Sequence, residues 1–367
     1  MNKTVGIVNS NGLLKINLKN LEYNYKSIER FVKPSKLAVV LKSNCYGLGV
    51  KEITKKLLTL KCNNFFLTSY EESVALFKLS KRSNIILLNG IINLSRENII
   101  NIFNKKIIPV INSFRELKKF YSIAKKLNSN HKITLHFDTG INRLGIDFNE
   151  KNKIINFCLK NNINVFCVMS HLIAADEKKN KINIIQKKKF EQIISFFPKA
   201  FHTLANSNGI LNFKRLNYDM VRSGGGIFGT VKSKFLKNVV ELYARVLQIR
   251  IVDEQHNNFG YNATFQSKEK KIIAIIGVGY ADGYPRKLSN DSYVCFKKKR
   301  LPIIGSISMD YIIVDVSKIK FENIKVGDWV ELIGKNISLD EIARKANTIP
   351  YEILNSIGNR VKKSYID

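Results

Sequence analysis

Short apolar runs alternate with amphipathic stretches over the first two thirds of the chain. Each run is four or five residues long, which suits a buried strand, and turn-forming or polar residues separate it from the next stretch. The runs cover residues 37–41, 65–68, 85–88, 107–111, 133–137, 165–169, 201–204 and 218–221.

Most of the stretches between the runs have the apolar spacing of helices. In 114–127 one helical face would carry Phe114, Leu117, Phe120, Tyr121, Ala124 and Leu127. Residues 182–196 show a similar pattern, whereas 99–103 is short and predicts a helix only weakly. Near-continuous apolar strands separated by helices are typical of a parallel sheet covered on both faces. Eight of them favour a closed (β/α)8 TIM-type barrel, which we assign to residues 1–235.

The pattern changes after residue 235. Longer apolar runs at 240–251, 271–278, 291–296 and 303–316 lie next to turn signals, with few helices between them. A late helix is predicted from Ser338, because Glu341 follows it at capping-box spacing. The fold class is therefore α/β, with a mainly-β C-terminal domain in residues 236–367.

Composition and charge narrow the function classes. Of the 367 residues, 45% are hydrophobic and 25% are charged, which is globular composition and excludes a disordered chain. The net charge of +32 suggests nucleic acid as a possible binding partner. The lysines and arginines occur all along the chain, however, so we interpret them as a solvated surface produced by coding bias and expect no nucleic-acid partner. A functional anion-attracting face is the alternative.

Cysteines, histidines and the N-terminus indicate the compartment. The five cysteines (Cys45, Cys62, Cys158, Cys167 and Cys295) are dispersed, which indicates buried thiols in a reducing environment rather than disulfides. The five histidines show no metal-ligand spacing, so we expect no metal. No secretory signal begins the chain, and no apolar run approaches the ~18–20 residues of a membrane span. We expect a cytoplasmic protein without a membrane partner.

A lysine, Lys42, follows the first predicted barrel strand. Chemistry in such barrels belongs to the loops at the C-terminal ends of the strands. Burial would lower the pKa of this amine, and a lysine of lowered pKa is a candidate for imine formation. A lysine that extends from the barrel rim into solvent is the alternative.

Other polar clusters follow later strands. They are Asp138-Thr139-Gly140 with Arg143, Ser170-His171, Ser207 with its neighbours, and Arg222-Ser223-Gly224-Gly225-Gly226. Loops after strands seven and eight of a barrel commonly bind phosphate, and Ser207 with the glycines suits that role, although a glycine run can also be only a turn. An imine-forming lysine beside a phosphate site indicates pyridoxal 5'-phosphate. The run GGGIFG is a weak dinucleotide signal, because it follows the last strand.

These segments together resemble the alanine racemase family from about residue 15 to residue 365. The motifs in the first domain are AVVLKSNCYGLG (38–49), DTGINRLG (138–145), SHLIAADE (170–177), ANSNGIL (205–211) and DMVRSGGGIFG (219–229). Those in the second are GYNATF (260–265), GYADGYPR (279–286), ISMD (307–310) and IPYEI (349–353). So many ordered matches across both domains make a chance likeness implausible.

The resemblance implies an enzyme and an assembly. It implies a bacterial pyridoxal-phosphate enzyme that interconverts L-alanine and D-alanine for peptidoglycan, and a head-to-tail homodimer with shared active sites. Lys42 would form the imine with the cofactor and remove the α-proton on one face of the substrate. Tyr261 of the partner subunit would serve the opposite face.

The resemblance also implies roles around these two groups. His171 would lie between Tyr261 and Arg222, and Arg222 would face the pyridine nitrogen of the cofactor. The implied phosphate ligands are Tyr46, Ser207, Gly224, Gly225 and Tyr351. Arg143 would meet the substrate carboxylate and the phenolic oxygen of the cofactor, and Met309 would bound the substrate pocket. Tyr280 and Asp310 would line or support its entrance. For Tyr46, Tyr280 and Tyr351 the alternative is that each is an ordinary tyrosine of the core or of the barrel rim, without a functional role.

Several positions depart from the family pattern. His136 stands where many members carry a lysine, often carbamylated, so Arg143 must be oriented another way, either by His136 or by a bound anion. Ser223 replaces a usual proline, Leu48 a histidine, Asn262 a glycine and Ser308 a cysteine. None of these changes removes a catalytic group, but they leave the substrate less defined than the fold.

Other functions remain open at this point. A racemase of the same fold could act on serine or a larger amino acid, since a methyl or hydroxyl difference is worth only ~1–3 kcal/mol in a pocket. A pyridoxal-phosphate carrier would need neither the second domain nor Tyr261. A decarboxylase of similar architecture fits DTGINRLG and GYNATF less well.

Overall fold

The computed structural model describes residues 10–319 and 323–367. Residues 1–9, on which part of the expectation about a secretory signal rests, lie outside these ranges. The chain divides into two compact units. Among the described residues, the barrel unit comprises Glu22–Cys45 and Gly49–Ile227, and the β-rich unit comprises 10–21, Tyr46–Leu48, 228–319 and 323–367.

The strands and helices have the following bounds. The strands are β1 (Gly12–Asn17), β2 (Lys36–Val40), β3 (Asn64–Leu67), β4 (Asn84–Leu87), β5 (Ile108–Ile111), β6 (Ile133–Asp138), β7 (Ile146–Asp147), β8 (Val165–Met169), β9 (Phe201–Thr203), β10 (Met220–Ser223), β11 (Val240–Val252), β12 (Asn258–Phe259), β13 (Phe265–Gln266), β14 (Lys271–Ile276), β15 (Tyr293–Phe296), β16 (Lys299–Pro302), β17 (Ile312–Asp315), β18 (Trp329–Ile333) and β19 (Lys362–Ile366). The helices are α1 (Leu18–Val32), α2 (Lys42–Tyr46), α3 (Val50–Thr59), α4 (Tyr70–Leu79), α5 (Arg96–Lys105), α6 (Phe114–Lys126), α7 (Lys151–Lys160), α8 (Ile182–Ile194), α9 (Ser207–Asn212), α10 (Gly225–Phe228), α11 (Leu339–Lys345) and α12 (Pro350–Ser356).

Eight parallel strands of the barrel unit form a nearly closed barrel in the order β10-β2-β3-β4-β5-β6-β8-β9. The last strand returns to the first, since Met220 of β10 pairs with Lys36 of β2. Between β9 and β10 the backbone N–H of Arg222 donates to the carbonyl of Ala205 at 3.0 Å. The predicted fold class is thereby confirmed, and all eight strand carboxyl ends meet at one mouth.

Buried side chains from the strands fill the barrel interior as a packed core. These are Ala38, Phe66, Ile86, Ile108, Val110, Phe166, Cys167, Met169 and Met220. Helix α5, only weakly indicated by the sequence, runs from Arg96 to Lys105, and its N-cap residue Ser95 accepts from the N–H of Asn98. The eighth strand starts two residues later than predicted, because Tyr218 has a left-handed φ of 44° that cannot continue a strand.

The β-rich unit is organised around the long strand β11. Its sheet runs β16-β15-β18-β11-β1-β19, and β14 also pairs with β11 and with β17. Strand β1 pairs antiparallel with β11 and parallel with β19. The sequence assigns residues 1–235 to the barrel, yet this early strand hydrogen bonds within the β-rich unit.

The predicted run 303–316 consists of a loop followed by a strand, rather than one continuous strand. Strand β16 ends at Pro302 and β17 begins at Ile312, with a turn between them in which Gly305 has a φ of 74°. Ser308 closes the end of this loop, because its hydroxyl accepts from the N–H of Tyr311 at 3.1 Å. The late helix starts as predicted, with the Ser338 hydroxyl accepting from the N–H of Glu341.

The described ranges contain neither a membrane span nor a cluster of metal-ligating side chains. No helix in them is long and apolar enough to cross a membrane. Among those same residues, no group of three or more His, Cys, Asp or Glu side chains could hold a metal ion.

Candidate active site

Lys42 follows β2 and begins α2, which is a left-handed turn rather than a regular α-helix. Ser43, Asn44, Cys45 and Tyr46 all have φ between 50° and 58°, in the left-handed region. Each such non-glycine residue costs roughly 1–2 kcal/mol, so the surrounding structure must hold the turn in place. Three hydrogen bonds do so: Ser43 N–H to Glu72 Oε1 at 2.7 Å, Cys45 N–H to the Leu41 carbonyl at 3.0 Å, and Val50 N–H to Asn44 Oδ1 at 2.8 Å.

The surroundings of Lys42 lower the pKa of its amine. Partial burial lowers the pKa of Lys42, and the nearby cation of Arg143 lowers it further, against an opposing contribution from the Glu72 carboxylate. A neutral amine has the lone pair that imine formation and proton abstraction both need.

Arg222 lies in β10, 4% exposed, with its guanidinium held from two directions. One terminal nitrogen donates to the carbonyl and the hydroxyl of Thr203, at 2.9 and 3.0 Å. The other donates to the Ser170 carbonyl at 2.6 Å and approaches His171 Nδ1 at 3.5 Å. Burial lowers the pKa of Arg222 to about 10, which still leaves it a cation at neutral pH.

His171 is a neutral imidazole of one tautomer. Burial, followed by the charge of Arg222, holds the pKa of His171 well below its usual range. Because a guanidinium can only donate, Nδ1 of His171 accepts and Nε2 carries the proton. The site therefore contains a cation, Arg222, that donates to a neutral imidazole, and the Nε2–H of His171 remains as a donor on the other side of the ring.

Ser207 forms hydrogen bonds with the backbone of the glycine run that follows β10. Its hydroxyl oxygen accepts from the N–H of Gly224 at 3.3 Å and of Gly226 at 3.1 Å, and lies 3.2 Å from the hydroxyl of Ser223. A Cβ at Gly226 would lie 2.8 Å from Ser223 Oγ, so a larger residue there would have to displace the Ser223 hydroxyl. Gly225 begins the short helix α10. The predicted serine and glycines are thus together, with backbone N–H groups around one hydroxyl.

His136, in β6, is 6% exposed and makes one hydrogen bond, from Nδ1 to Asn112 Oδ1 at 2.8 Å. Burial lowers the pKa of His136 to about 3, and Arg222 adds to this effect. Two residues further on, the Asp138 carboxylate accepts from the N–H groups of Gly140, Ile141 and Arg143, at 2.7, 2.9 and 3.0 Å. This carboxylate folds the loop that presents Arg143 at the barrel mouth.

In the β-rich unit, Tyr261 is 64% exposed and follows a tight turn. Gly260, at φ 73°, has no room for a side chain, which would lie 2.4 Å from the N atom of Ser306. Asn262 has a φ of 60°. Asparagine tolerates this left-handed conformation, so its replacement of a family glycine keeps the turn.

Tyr280, Met309 and Asp310 belong to two joined loops of the β-rich unit. The carbonyls of Ser308 and Met309 accept from the N–H groups of Tyr280 and Ala281, at 3.1 and 3.0 Å. Arg360 connects both loops. Its guanidinium donates two hydrogen bonds to the Asp282 carboxylate and forms an ion pair with the Asp310 carboxylate at 2.7 Å. In the same unit the rings of Tyr46 and Tyr351 pack 5.6 Å apart.

Sequence reasoning missed the residues that position these groups. Glu72, Asn112 and Arg360 each contact a predicted site residue or its turn. Ser69 and Glu72 are visible in the sequence as a capping box, but that signal predicts only the start of α4. Nothing in the sequence pattern indicates that Glu72 also reaches the lysine turn.

The chain is similar to known proteins over nearly its whole length. Residues 16–232 match the family described as alanine racemase, N-terminal domain, and residues 239–365 match alanine racemase, C-terminal domain. The chain is 35% identical to an alanine racemase of Rickettsia canadensis over 96% of its own length and 98% of the relative's. It is 34% identical to one of Brucella abortus, over 97% and 93%. A crystal structure of alanine racemase from Bartonella henselae with covalently bound pyridoxal phosphate matches with a TM-score of 0.91 and 34% identity, covering 97% of this chain and all of that one.

Proposed function

The chain belongs to the alanine racemase family, and we infer from this membership and from the barrel mouth that it interconverts L-alanine and D-alanine. It is a pyridoxal-phosphate-dependent racemase. The observation that carries the reaction is the partly buried amine of Lys42, whose pKa is lowered in the mouth of the barrel. We further propose the residue roles, the assembly and the physiological use that follow.

The described residues of the barrel unit fit pyridoxal phosphate. Lys42 offers an amine for the imine, and Arg222 is a buried cation for the pyridine nitrogen. Ser207 and the adjoining backbone of Gly224 and Gly225 are proposed to bind the phosphate. We propose Tyr46 and Tyr351, whose rings pack together, as further phosphate ligands. When bound, the cofactor withdraws electrons from the α-carbon of the amino acid and so acidifies its proton.

Lys42 is proposed as the base on one face of the substrate. A neutral amine can accept the α-proton, and the same group protonated can return it. Racemisation requires a second group on the opposite face, because one base alone tends to return the proton to the face that it left. Tyr261 of the partner subunit is proposed for that role, assisted by His171.

Arg222 is proposed to set the electronic character of the site. A guanidinium does not give up its proton at neutral pH, so Arg222 would leave a pyridine nitrogen that it faces unprotonated. Such a ring would withdraw less charge from the α-carbon, which would favour reprotonation over side reactions. The fixed Thr203 and Ser170 acceptors keep the guanidinium in this orientation.

The assembly proposed is a head-to-tail homodimer that places the β-rich unit of one subunit at the barrel mouth of the other. The β-rich unit exposes several large apolar side chains, which a second copy would cover: Tyr261, Tyr280, Met309, Tyr311 and Ile349. Exposed apolar side chains of this size are candidates for an association surface. Met309 would bound the substrate pocket, with Tyr280 and Asp310 at its entrance and Arg143 at the substrate carboxylate.

The two domains assigned from the sequence are proposed to contribute to different parts of the active site. Residues 1–235 would supply the cofactor site, and residues 236–367 would contribute to the site of the partner subunit. We propose a cytoplasmic bacterial enzyme whose D-alanine enters peptidoglycan. These assignments rest on membership of the family and on its bacterial relatives.

The reaction is tested by incubating the purified protein and pyridoxal phosphate with a mixture of L-amino acids, followed by chiral chromatography. Alanine should lose its chirality fastest. If serine or a larger amino acid leads, the racemase assignment stands and the substrate assignment is wrong. If a folded, cofactor-loaded protein racemises none of them, the proposed function is wrong.

A further inference from the structure

One ring nitrogen of His136, in β6, is buried without a hydrogen-bond partner in the described part of the chain. Its Nε2 is buried and has no hydrogen-bond partner among the described residues, while Nδ1 is bonded to Asn112. An unpaired buried polar atom costs about 1–3 kcal/mol, so its persistence requires an explanation.

The tautomer of His136 is fixed through Asn112. The Nδ2 atom of Asn112 donates to the carbonyls of Leu88 and Val110, at 3.1 and 3.3 Å, which leaves Oδ1 to accept from His136. The backbone N–H of Asn112 donates to Glu116 Oε2 at 2.8 Å, and Glu116 is itself buried at the start of α6. His136 therefore carries its proton on Nδ1 and presents an acceptor lone pair on Nε2.

The charged and titratable groups that act on His136 are Arg222, Asp138, Arg143 and His171. Both terminal nitrogens of Arg222 are engaged by Thr203, Ser170 and His171. The Asp138 carboxylate accepts three backbone N–H groups and cannot donate. Within the part of the chain that the structure describes, the Arg143 side chain has no hydrogen-bond partner, although its charge acts on Lys42, His136 and His171.

We propose that His136 is the positioning residue for Arg143, accepting through Nε2 a hydrogen bond from the guanidinium when Arg143 turns to the substrate carboxylate. The inference rests on the proposed function, since it assigns Arg143 to an amino-acid carboxylate. An acceptor behind the guanidinium fixes its direction without neutralising its charge. The Glu116–Asn112–His136 chain thus acts through Arg143 and does not touch the reacting atoms.

Two variants test whether His136 acts as a hydrogen-bond acceptor or only fills space. His136→Leu removes the acceptor and should raise KM for L-alanine about tenfold, which is about 1.4 kcal/mol, with kcat within about threefold of wild type. His136→Gln returns an oxygen near the position of Nε2 and should restore KM to within about threefold. Calorimetric binding of propionate to the holoenzyme should weaken and recover in parallel, independently of turnover. His131→Gln, which removes a half-buried imidazole elsewhere in the barrel unit, is the matched control and should leave KM unchanged.

A third variant tests the protonation state. Asn112→Asp would place a carboxylate against Nδ1, favour the imidazolium and convert Nε2 into a donor that repels Arg143. Its KM should rise as the pH falls below neutrality, and the KM of the wild type should not follow the same profile.

Two results would overturn the positioning role and leave the function standing. The first is a wild type that racemises alanine together with a His136→Leu variant that keeps the wild-type KM and propionate affinity. The second is a rise in the KM of the wild type, on exchange of chloride for a non-coordinating anion, as large as the rise that His136→Leu causes. A bound anion would then orient Arg143 in place of His136.

Discussion

Glu72 holds the turn after Lys42 by accepting the backbone N–H of Ser43 at 2.7 Å. The other oxygen of the same carboxylate accepts from the N–H groups of Thr68 and Ser69, at 3.0 and 3.3 Å, where it completes the capping box of α4. One side chain therefore joins a helix start to four consecutive left-handed residues. The turn directs the Lys42 amine, so Glu72 controls the geometry of the proposed imine without reaching it.

Replacing Glu72 should damage both the helix start and the lysine turn. We expect Glu72→Ala to lower the unfolding free energy by about 1–3 kcal/mol, measured by urea denaturation, because it loses a cap and a charged acceptor. It should also lower kcat/KM by on the order of tenfold, because the left-handed turn loses its support. Glu71→Ala, an exposed neighbour in the same first helical turn, is the matched control. Equal effects of the two substitutions would show that the Ser43 hydrogen bond is unimportant.

The barrel could be predicted from the sequence because buried parallel strands are almost continuously apolar. The run 165–169 coincides with β8, and the other runs lie within two residues of their strands. The largest shift is at β10, where the left-handed backbone of Tyr218 delays the strand, and a backbone conformation at one residue is not encoded in hydrophobicity. Strand β1 could not be assigned from its pattern, because its partners β11 and β19 lie more than two hundred residues away along the chain.

The candidate site could be predicted in part for a related reason. Strand ends gather at one mouth, so Lys42, Arg143, His171 and Ser207 could be placed in one region from the order of strands alone. Glu72 and Asn112 could not, because each is identified only by a hydrogen bond that tertiary structure creates, to Ser43 and to His136. Their own local patterns describe a helix cap and a strand end.

Lys42 is predicted to carry the cofactor. Lys42→Ala should lose the visible absorption band of the imine that borohydride reduces in the wild type, since no amine remains at this position. Racemisation should fall by roughly 10³-fold or more, because the substitution removes a base as well as the attachment point. Lys51→Ala, an exposed lysine nearby, should change neither reading. A borohydride-sensitive band that persists in Lys42→Ala would place the cofactor on another lysine.

His136 should make the enzyme less stable in mild acid. In the unfolded chain its pKa is about 6.5, whereas burial lowers it to about 3 in the native protein. Between these values the unfolded state binds more protons, so stability is greatest above about pH 6.5 and is lost as the pH falls towards 3. Between about pH 7 and pH 5 this one group should contribute a loss of about 2 kcal/mol.

The measurement is urea denaturation of the wild type and His136→Gln at those two pH values. The variant lacks the titrating group and should lose about 2 kcal/mol less on acidification. The control is His256→Gln, since the His256 side chain is 78% exposed. Parallel losses in the wild type and in His136→Gln would mean that His136 is protonated in the folded enzyme at pH 5.

Asn262 should behave as a substitute for glycine. Its φ of 60° suits glycine at least as well, so Asn262→Gly should keep kcat/KM within about twofold. Asn262→Val should lower kcat/KM, because a β-branched residue is strained at positive φ by about 1–2 kcal/mol and would displace the adjacent Tyr261. Steady-state kinetics of the two variants in both directions of racemisation gives the comparison. Similar activity of the valine and glycine variants would show that the turn does not position Tyr261.

Hybrid dimers test whether two subunits share each active site. Lys42→Ala and Tyr261→Phe should each be nearly inactive as homodimers, because every site lacks one of the two proposed bases. In a hybrid of the two, both substitutions fall in one site, and the other site combines an intact Lys42 with an intact Tyr261 of the partner subunit. Random exchange should therefore restore about a quarter of wild-type activity, since about half of the dimers are hybrids with one intact site each. Differently tagged subunits allow exchange to be verified before the assay. If verified hybrids recover no activity, Lys42 and Tyr261 do not meet across a shared site, and the second base must be sought within the same subunit.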